Sequence, residues 1–272
     1  MIYKNVMPCP RLSPFISHFT YYKDYITNHR LDRFLPNGNI EIVIDLTNEP
    51  KYIYDNHSLK EKQSCNKIWI SGIRNQPITI PSGRESEMFV INFRKGMAFP
   101  FLSLPMAEIT DLVIDGDLIL DQCFIELRDR LLEVAGHESM FDIAGQLLLH
   151  NFASRLAINP FTEFAINAMV SNPVDCSIKA ISSRCGYSSK HIIHLFKTKV
   201  GVAPKTLLRI LRFQKALEEI ESARTIRWTS LALDCGYFDQ SHFISDFKDY
   251  SGFTPSSYLQ RKNEWLNYVP VD

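Results

Sequence analysis

The sequence predicts an α+β protein. An N-terminal β-barrel or sandwich with trailing helices precedes a C-terminal all-α domain holding two helix-turn-helix motifs joined by a long helix. Three observations predict this. Between residues 178 and 259 one pattern is written twice: Cys185-Gly186-Tyr187, Phe196-Lys197 and Gly201-Val202-Ala203-Pro204, then Cys235-Gly236-Tyr237, Phe247-Lys248 and Gly252-Phe253-Thr254-Pro255. A 19-residue amphipathic stretch, Pro204–Ser222, joins the two copies. Before residue 115, short apolar alternations are punctuated by Gly and Pro, as in an all-β layer.

In chain order, the clearest strand lies at 40–46. Ile40, Ile42, Ile44 and Leu46 alternate with Glu41, Val43 and Asp45, and the turn residues Pro36-Asn37-Gly38 stand before it. Further strands are expected at 16–22, 51–54, 67–73, 78–80 and 88–93. Amphipathic helices are expected at 120–134 and 140–156. Asn159-Pro160 marks a boundary, which divides the chain into 1–158 and 159–272.

Each copy of the repeat reads as helix, Gly turn, helix and Gly-x-x-Pro stop. Gly186 can take positive φ and close a helix. Ser188 and Asp239 are N-caps for the second helices. Ile192, Leu195 and Phe196 form the apolar face of one second helix, and Phe243 and Phe247 that of the other. In the connector, Leu207, Ile210, Phe213, Leu217 and Ile220 share one side, while Lys205, Arg209 and Arg212 share the opposite one. That basic stripe reads equally as a DNA-facing surface or as an ordinary solvated face.

Charge separates the two copies. From 176 to 217 stand Lys179, Arg184, Lys190, Lys197, Lys199, Lys205, Arg209, Arg212 and Lys215, with no Asp or Glu among them. From 225 to 262, four basic residues meet Asp234, Asp239, Asp246 and Asp249. The whole chain is neutral, 30 against 30, so the first copy is a concentrated cationic patch of the kind that neutralises phosphates. The first copy is expected to anchor on a duplex and the second to bind more weakly. Up to residue 170, acidic residues outnumber basic ones 20 to 16, so nucleic acid is not expected there.

Composition narrows the rest. The 272 residues are 45% apolar and 12% aromatic, globular values. The N-terminus lacks the apolar core of a signal peptide, and no run approaches a membrane span. Cys9, Cys65, Cys123, Cys176, Cys185 and Cys235 have no CxxC spacing, which points to free thiols and a cytoplasmic location. Cys185 and Cys235 hold the same repeat position and read as small buried residues. No catalytic residue, cofactor or metal is expected. The chain lacks His-x-His, P-loop, GxGxxG and GxSxG patterns, and His191 and His194 fall on a recognition helix. Trp69, Tyr52, Tyr54 and Phe93 are candidates for an apolar pocket, with plain core as the commoner role.

The chain resembles the AraC family of bacterial transcription regulators. The resemblance rests on Val200-Gly201-Val202-Ala203-Pro204-Lys205, on Arg209 through Leu217, and on Asp239-Gln240-Ser241-His242-Phe243. It covers roughly 100 residues, 159–261. It implies seven helices with two helix-turn-helix units, a first helix at 161–170, and base reading by exposed positions of each second helix. Carried onto this chain, those positions are Lys190, Ile193, His194 and Lys197 in the first unit and Gln240, Ser241, Ile244, Ser245 and Lys248 in the second. Many members place Arg where this chain has His194 and Ser245, so the usual bidentate guanine contact is in doubt there. Ile193 and Ile244 suit thymine methyls, or alternatively helix packing. Asn37-Gly38-Asn39-Ile40-Glu41, Phe93-Arg94 and the helical stretch after Asp121 more weakly resemble the cupin-like sensor domain of part of that family. The resemblance implies a non-enzymatic regulator, usually an activator. Its partner would be double-stranded DNA, with RNA polymerase, a small-molecule effector and a second copy as further candidates, and no membrane. Two other readings fit the sequence: a ligand-independent DNA-binding oligomer, and an enzyme domain tethered to DNA. The second would need an activated Cys, yet Cys9 and Cys65 stand alone.

Overall fold

The computed structural model describes every residue except Tyr25, Ile26, Arg84, Ser103, Ala135, Arg224 and Asp272. In chain order the strands are β1 (Ile2–Val6), β2 (Ile16–Lys23), β3 (Leu31–Phe34), β4 (Glu41–Asp45), β5 (Lys51–Tyr54), β6 (Glu61–Cys65), β7 (Ile68–Ser71), β8 (Ile78–Pro81), β9 (Glu87–Phe93) and β10 (Val113–Asp115). Helices α1 (Gly116–Ile119), α2 (Gln122–Glu133), α3 (His137–Phe152), α4 (Pro160–Ser171), α5 (Ile178–Cys185), α6 (Ser189–Lys199), α7 (Pro204–Ser222), α8 (Trp228–Asp234), α9 (Gln240–Ser251) and α10 (Pro255–Arg261) follow. Strand β11 (Tyr268–Pro270) ends the chain.

The strands form two antiparallel sheets, β1-β2-β9-β4-β7-β10 and β11-β3-β8-β5-β6. In β4, Ile42 and Ile44 are fully buried and the alternation read from the sequence holds. That side of the larger sheet packs on α2 and α3, with the Phe89 and Phe141 rings 5.6 Å apart. Buried Arg128 of α2 donates to Asp45 O at 2.8 Å and Thr47 O at 3.0 Å, which ties the helix to the end of β4. The other side of the sheet meets the smaller sheet through Val90, Met88, Trp69, Ile53 and Ile78.

The anticipated apolar pocket does not form. Trp69 lies between the sheets, while Phe93 is buried in the helix-facing core. Ile53 points inward, so its neighbours Tyr52 and Tyr54 are on the opposite side of β5. Period-two geometry separates residues that sequence proximity had grouped. Strands β1, β3, β6, β10 and β11 were not anticipated. They are short, and β6 (Glu-Lys-Gln-Ser-Cys) lies at a sheet edge and lacks an apolar alternation. The two helices after the strands begin and end within four residues of expectation.

One apolar core runs from α2 and α3 through α4, α6, α7 and α9. The contact between the two parts of the chain is close. At Gly201 (φ +103°) an added Cβ would lie 2.6 Å from the Ile73 side chain, and Thr110 Oγ1 donates to Gly201 O at 2.8 Å. The end of the chain makes a second bond between the parts. After α10 it runs back to the smaller sheet, where Tyr268, Val269 and Pro270 pair with Phe34, Arg33 and Asp32 of β3. Val269 is fully buried, and Gln214 of α7 donates to Asn267 Oδ1 at 2.8 Å and Pro36 O at 2.7 Å.

Candidate nucleic-acid interface

The two units are built by the same local devices. Helix α5 ends at Gly186 in the left-handed region (φ +69°), which turns the chain sharply. Ser188 Oγ then accepts from His191 N at 3.2 Å and starts α6. In the second unit Asp239 accepts from His242 N at 2.7 Å and starts α9. Thr254 caps α10 in turn. Each second helix is pinned by buried apolar residues: Ile192 and Phe196 in α6, Phe243 and Phe247 in α9.

With those faces buried, helical spacing decides what remains outside. In α6, Lys190, Ile193, His194 and Lys197 are all exposed. In α9, Ser241, Ser245 and Lys248 are exposed, whereas Gln240 and Ile244 are half-buried. Gln240 Oε1 accepts from Thr229 Oγ1 of α8 at 2.8 Å, which orients its amide. The two isoleucines differ. Ile193 keeps 43% of its surface exposed, while Ile244 packs against the core.

Helix α7 has the ends its sequence implied. Leu207, Ile210, Phe213, Leu217 and Ile220 are buried, and Phe213 meets Phe247 edge to face at 5.3 Å and stacks on Tyr250 at 5.2 Å, both of α9. Two of the three basic residues of the stripe, Arg209 and Arg212, are engaged within the protein, and Lys205 is the exposed one. Arg209 grips Asp246 of α9 through two bonds, Nη2–Oδ1 at 2.7 Å and Nε–Oδ2 at 3.2 Å. That partnership, chiefly its hydrogen bonds, raises the guanidinium pKa further. Arg212 donates to Pro173 O at 2.9 Å and Val174 O at 3.0 Å. Lys215 donates to Asp234 O at 3.0 Å. The carbonyls and the buried carboxylate come from segments 19 to 39 residues away in sequence, so local periodicity could not reveal them.

The cationic patch is therefore smaller than its count. Arg184 sits over the Phe164 ring and Lys199 over the Phe99 ring. Lys179, Lys190, Lys197 and Lys205 are exposed and have no hydrogen bond or ion pair among the described residues. In the second unit Lys262 pairs with Glu221 at 2.6 Å and Arg261 lies over Phe253, leaving Lys248 and Arg227 exposed and unpaired among the described residues. Cys235 is buried, and burial pushes its thiol up to about 12. Cys185, at the equivalent position, is only half-buried, so the two are not packed alike.

Residues 174–261 match a family described as a helix-turn-helix domain, and residues 4–115 match a domain of unknown function, DUF6597. The raffinose operon transcriptional regulatory protein RafR of Pediococcus pentosaceus is 32% identical over 83 residues, 30% of each chain. The aligned part thus spans less than a third of that relative. Among solved structures, ToxT from Vibrio cholerae is 12% identical and aligns over 89% of this chain and 98% of its own, with a TM-score of 0.48. A probable AraC family transcriptional regulator from Rhodopseudomonas palustris is 26% identical over 38% of this chain and 96% of its own, with a TM-score of 0.35. No helix among the described residues is long and apolar enough to cross a membrane.

Proposed function

We propose that this chain, whose residues 174–261 form an AraC-type helix-turn-helix domain, is a transcription regulator that reads two successive major grooves of duplex DNA. Helix α6 enters one groove through Lys190, Ile193, His194 and Lys197. Helix α9 enters the next through Gln240, Ser241, Ile244, Ser245 and Lys248. The observation that carries this reading is the pair of capped helices, each held by a buried apolar face and each presenting a polar one, with four unengaged lysines on or beside the first. Helix α7, with 19 residues, is about 28 Å long at 1.5 Å per residue. That suits two helices spaced near the ~34 Å turn of B-DNA. Activation through RNA polymerase is the mode that the family resemblance supplies. The N-terminal sheets would receive an effector or a second copy.

The test uses the full chain, because Gly201 and β11 bind the two parts together. Fluorescence anisotropy is followed with its own upstream DNA at rising salt. Binding is expected to weaken by several orders of magnitude between about 50 and 200 mM salt if six or more phosphates are neutralised, and in proportion for fewer. A flat salt response would overturn the reading.

A further inference from the structure

The two sheets face each other, and register identifies the side chains between them. Met88 and Val90 of β9 lie in the inter-sheet cluster. Tyr22 stands opposite Met88, and Tyr3 opposite Tyr22, so both point the same way. On β4, Val43 packs on that cluster and Glu41, two residues earlier, shares its side. From the smaller sheet come Phe34 and its partner Tyr268, their rings 4.9 Å apart. The Trp265 ring lies 5.1 Å from that of Tyr3. The negative charge of Glu41 helps raise the pKa of the Tyr268 hydroxyl, so the two lie near each other. Aromatic rings from four strands and the last turn thus gather on the side that Glu41 shares.

Two features distinguish this place from ordinary core. Glu41 accepts one long hydrogen bond, from Asn37 Nδ2 at 3.4 Å, and has no ion-pair partner among the described residues. Arg74, whose charge does reach it, is directed to the Asp111 carbonyl at 3.4 Å. Tyr3 and Tyr268 keep 38% and 37% of their surface exposed. Glu41 is half-buried on the same side of the sheet, and burial raises the pKa of both its carboxyl and the Tyr268 hydroxyl. A carboxylate removed from water without a counter-ion is unfavourable. Aromatic faces attract a cation within about 6 Å of their centres. An anion would be repelled here, and a neutral polyol could donate hydrogen bonds to the carboxylate but would bring no charge to offset it.

We propose that the space between the sheets binds a small organic ammonium ion, with Glu41 as its counter-ion and Tyr3, Tyr22, Trp265 and Tyr268 as its walls. One wall comes from the end of the chain. Tyr268 belongs to β11, seven residues beyond the last residue of α10, so an occupant holds β11 on β3 and with it the second helix-turn-helix unit. Only that regulatory consequence rests on the DNA-binding reading. The binding itself does not.

The experiment titrates the full chain by calorimetry with tetramethylammonium, choline and benzyltrimethylammonium chlorides at constant ionic strength. The uncharged choline isostere 3,3-dimethylbutan-1-ol serves as control. At least one ammonium ion is expected to saturate and quench tryptophan fluorescence, and the isostere to bind roughly tenfold or more weakly. Glu41→Gln and Tyr268→Ala each weaken binding by about tenfold or more, while Tyr268→Phe, which keeps the ring, stays within about twofold. Thermal melts establish that the variants fold. Burial already holds the Glu41 carboxyl above its usual range, so Glu41→Gln keeps or raises Tm. The proposal is overturned if none of the three ions saturates, if the isostere matches choline, or if Glu41→Gln binds unchanged. DNA affinity is measured separately, so the two readings fail independently.

Discussion

The two helix-turn-helix units share a plan and differ in how their charges are used. The first presents Lys190 and Lys197 from α6, unengaged, with Lys179 and Lys205 flanking them. It is seated on the N-terminal part by the close approach at Gly201 and by Lys199 over Phe99. In the second unit Asp239 caps α9, Asp246 holds Arg209, and Lys262 is paired with Glu221. It is held from both sides, by α7 and by the returning strand β11. A motif therefore leaves open whether its charges meet a ligand or the rest of the protein. The same residue types stand exposed and unengaged in one unit and act as internal struts in the other.

The largest effect should come from breaking what the units share. Phe213→Ala removes the ring between Phe247 and Tyr250 and is expected to lower unfolding stability by about 3–5 kcal/mol, read by denaturant melts. Both units should loosen together, and protection of α6 amides alone would contradict the continuous core. Arg209→Ala is expected to cost about 2 kcal/mol by leaving buried Asp246 with only His242 beside it, at 4.0 Å, with the pair's partial exposure reducing the full penalty. It should leave the salt slope of DNA binding unchanged. A slope reduced as much as in Lys197→Ala would restore the connector's basic stripe as a DNA surface.

Lys197→Ala sharpens the contrast from the other side. It should weaken binding to all sequences and lower the salt slope by about 0.9, while stability moves by less than about 0.5 kcal/mol. The smallest and most discriminating pair is Ile193→Ala against Ile244→Ala. The exposed Ile193 is expected to alter base preference in a binding-site selection with little change in Tm. The packed Ile244 should lose about 1–2 kcal/mol of stability. If both variants behave alike, the two helices do not differ in the way their burial indicates.

Much of the candidate interface was legible in the chain because its determinants are local. A cap bonds three residues ahead, an apolar face recurs every three to four residues, and both are visible as spacing: Ser188 to His191, Phe243 to Phe247. The identity of the unengaged cations was not legible, since Arg209, Arg212 and Lys215 find partners 19 to 39 residues away. Strands β1, β3 and β6 were equally silent, since an edge or polar strand gains its stability from pairing rather than from its own pattern.

By itself the sequence determined the duplication, the ends of the 19-residue connector, the caps, and the faces that Lys190, Lys197, Ser241 and Lys248 present. Only the tertiary structure decided that Tyr268–Pro270 would pair with β3, that Asp246 would hold Arg209, and that Glu41 would share one side of the larger sheet with Tyr22 and Tyr3. Such contacts join segments tens to hundreds of residues apart. They form only once the chain has collapsed around its apolar core, so no local spacing encodes them.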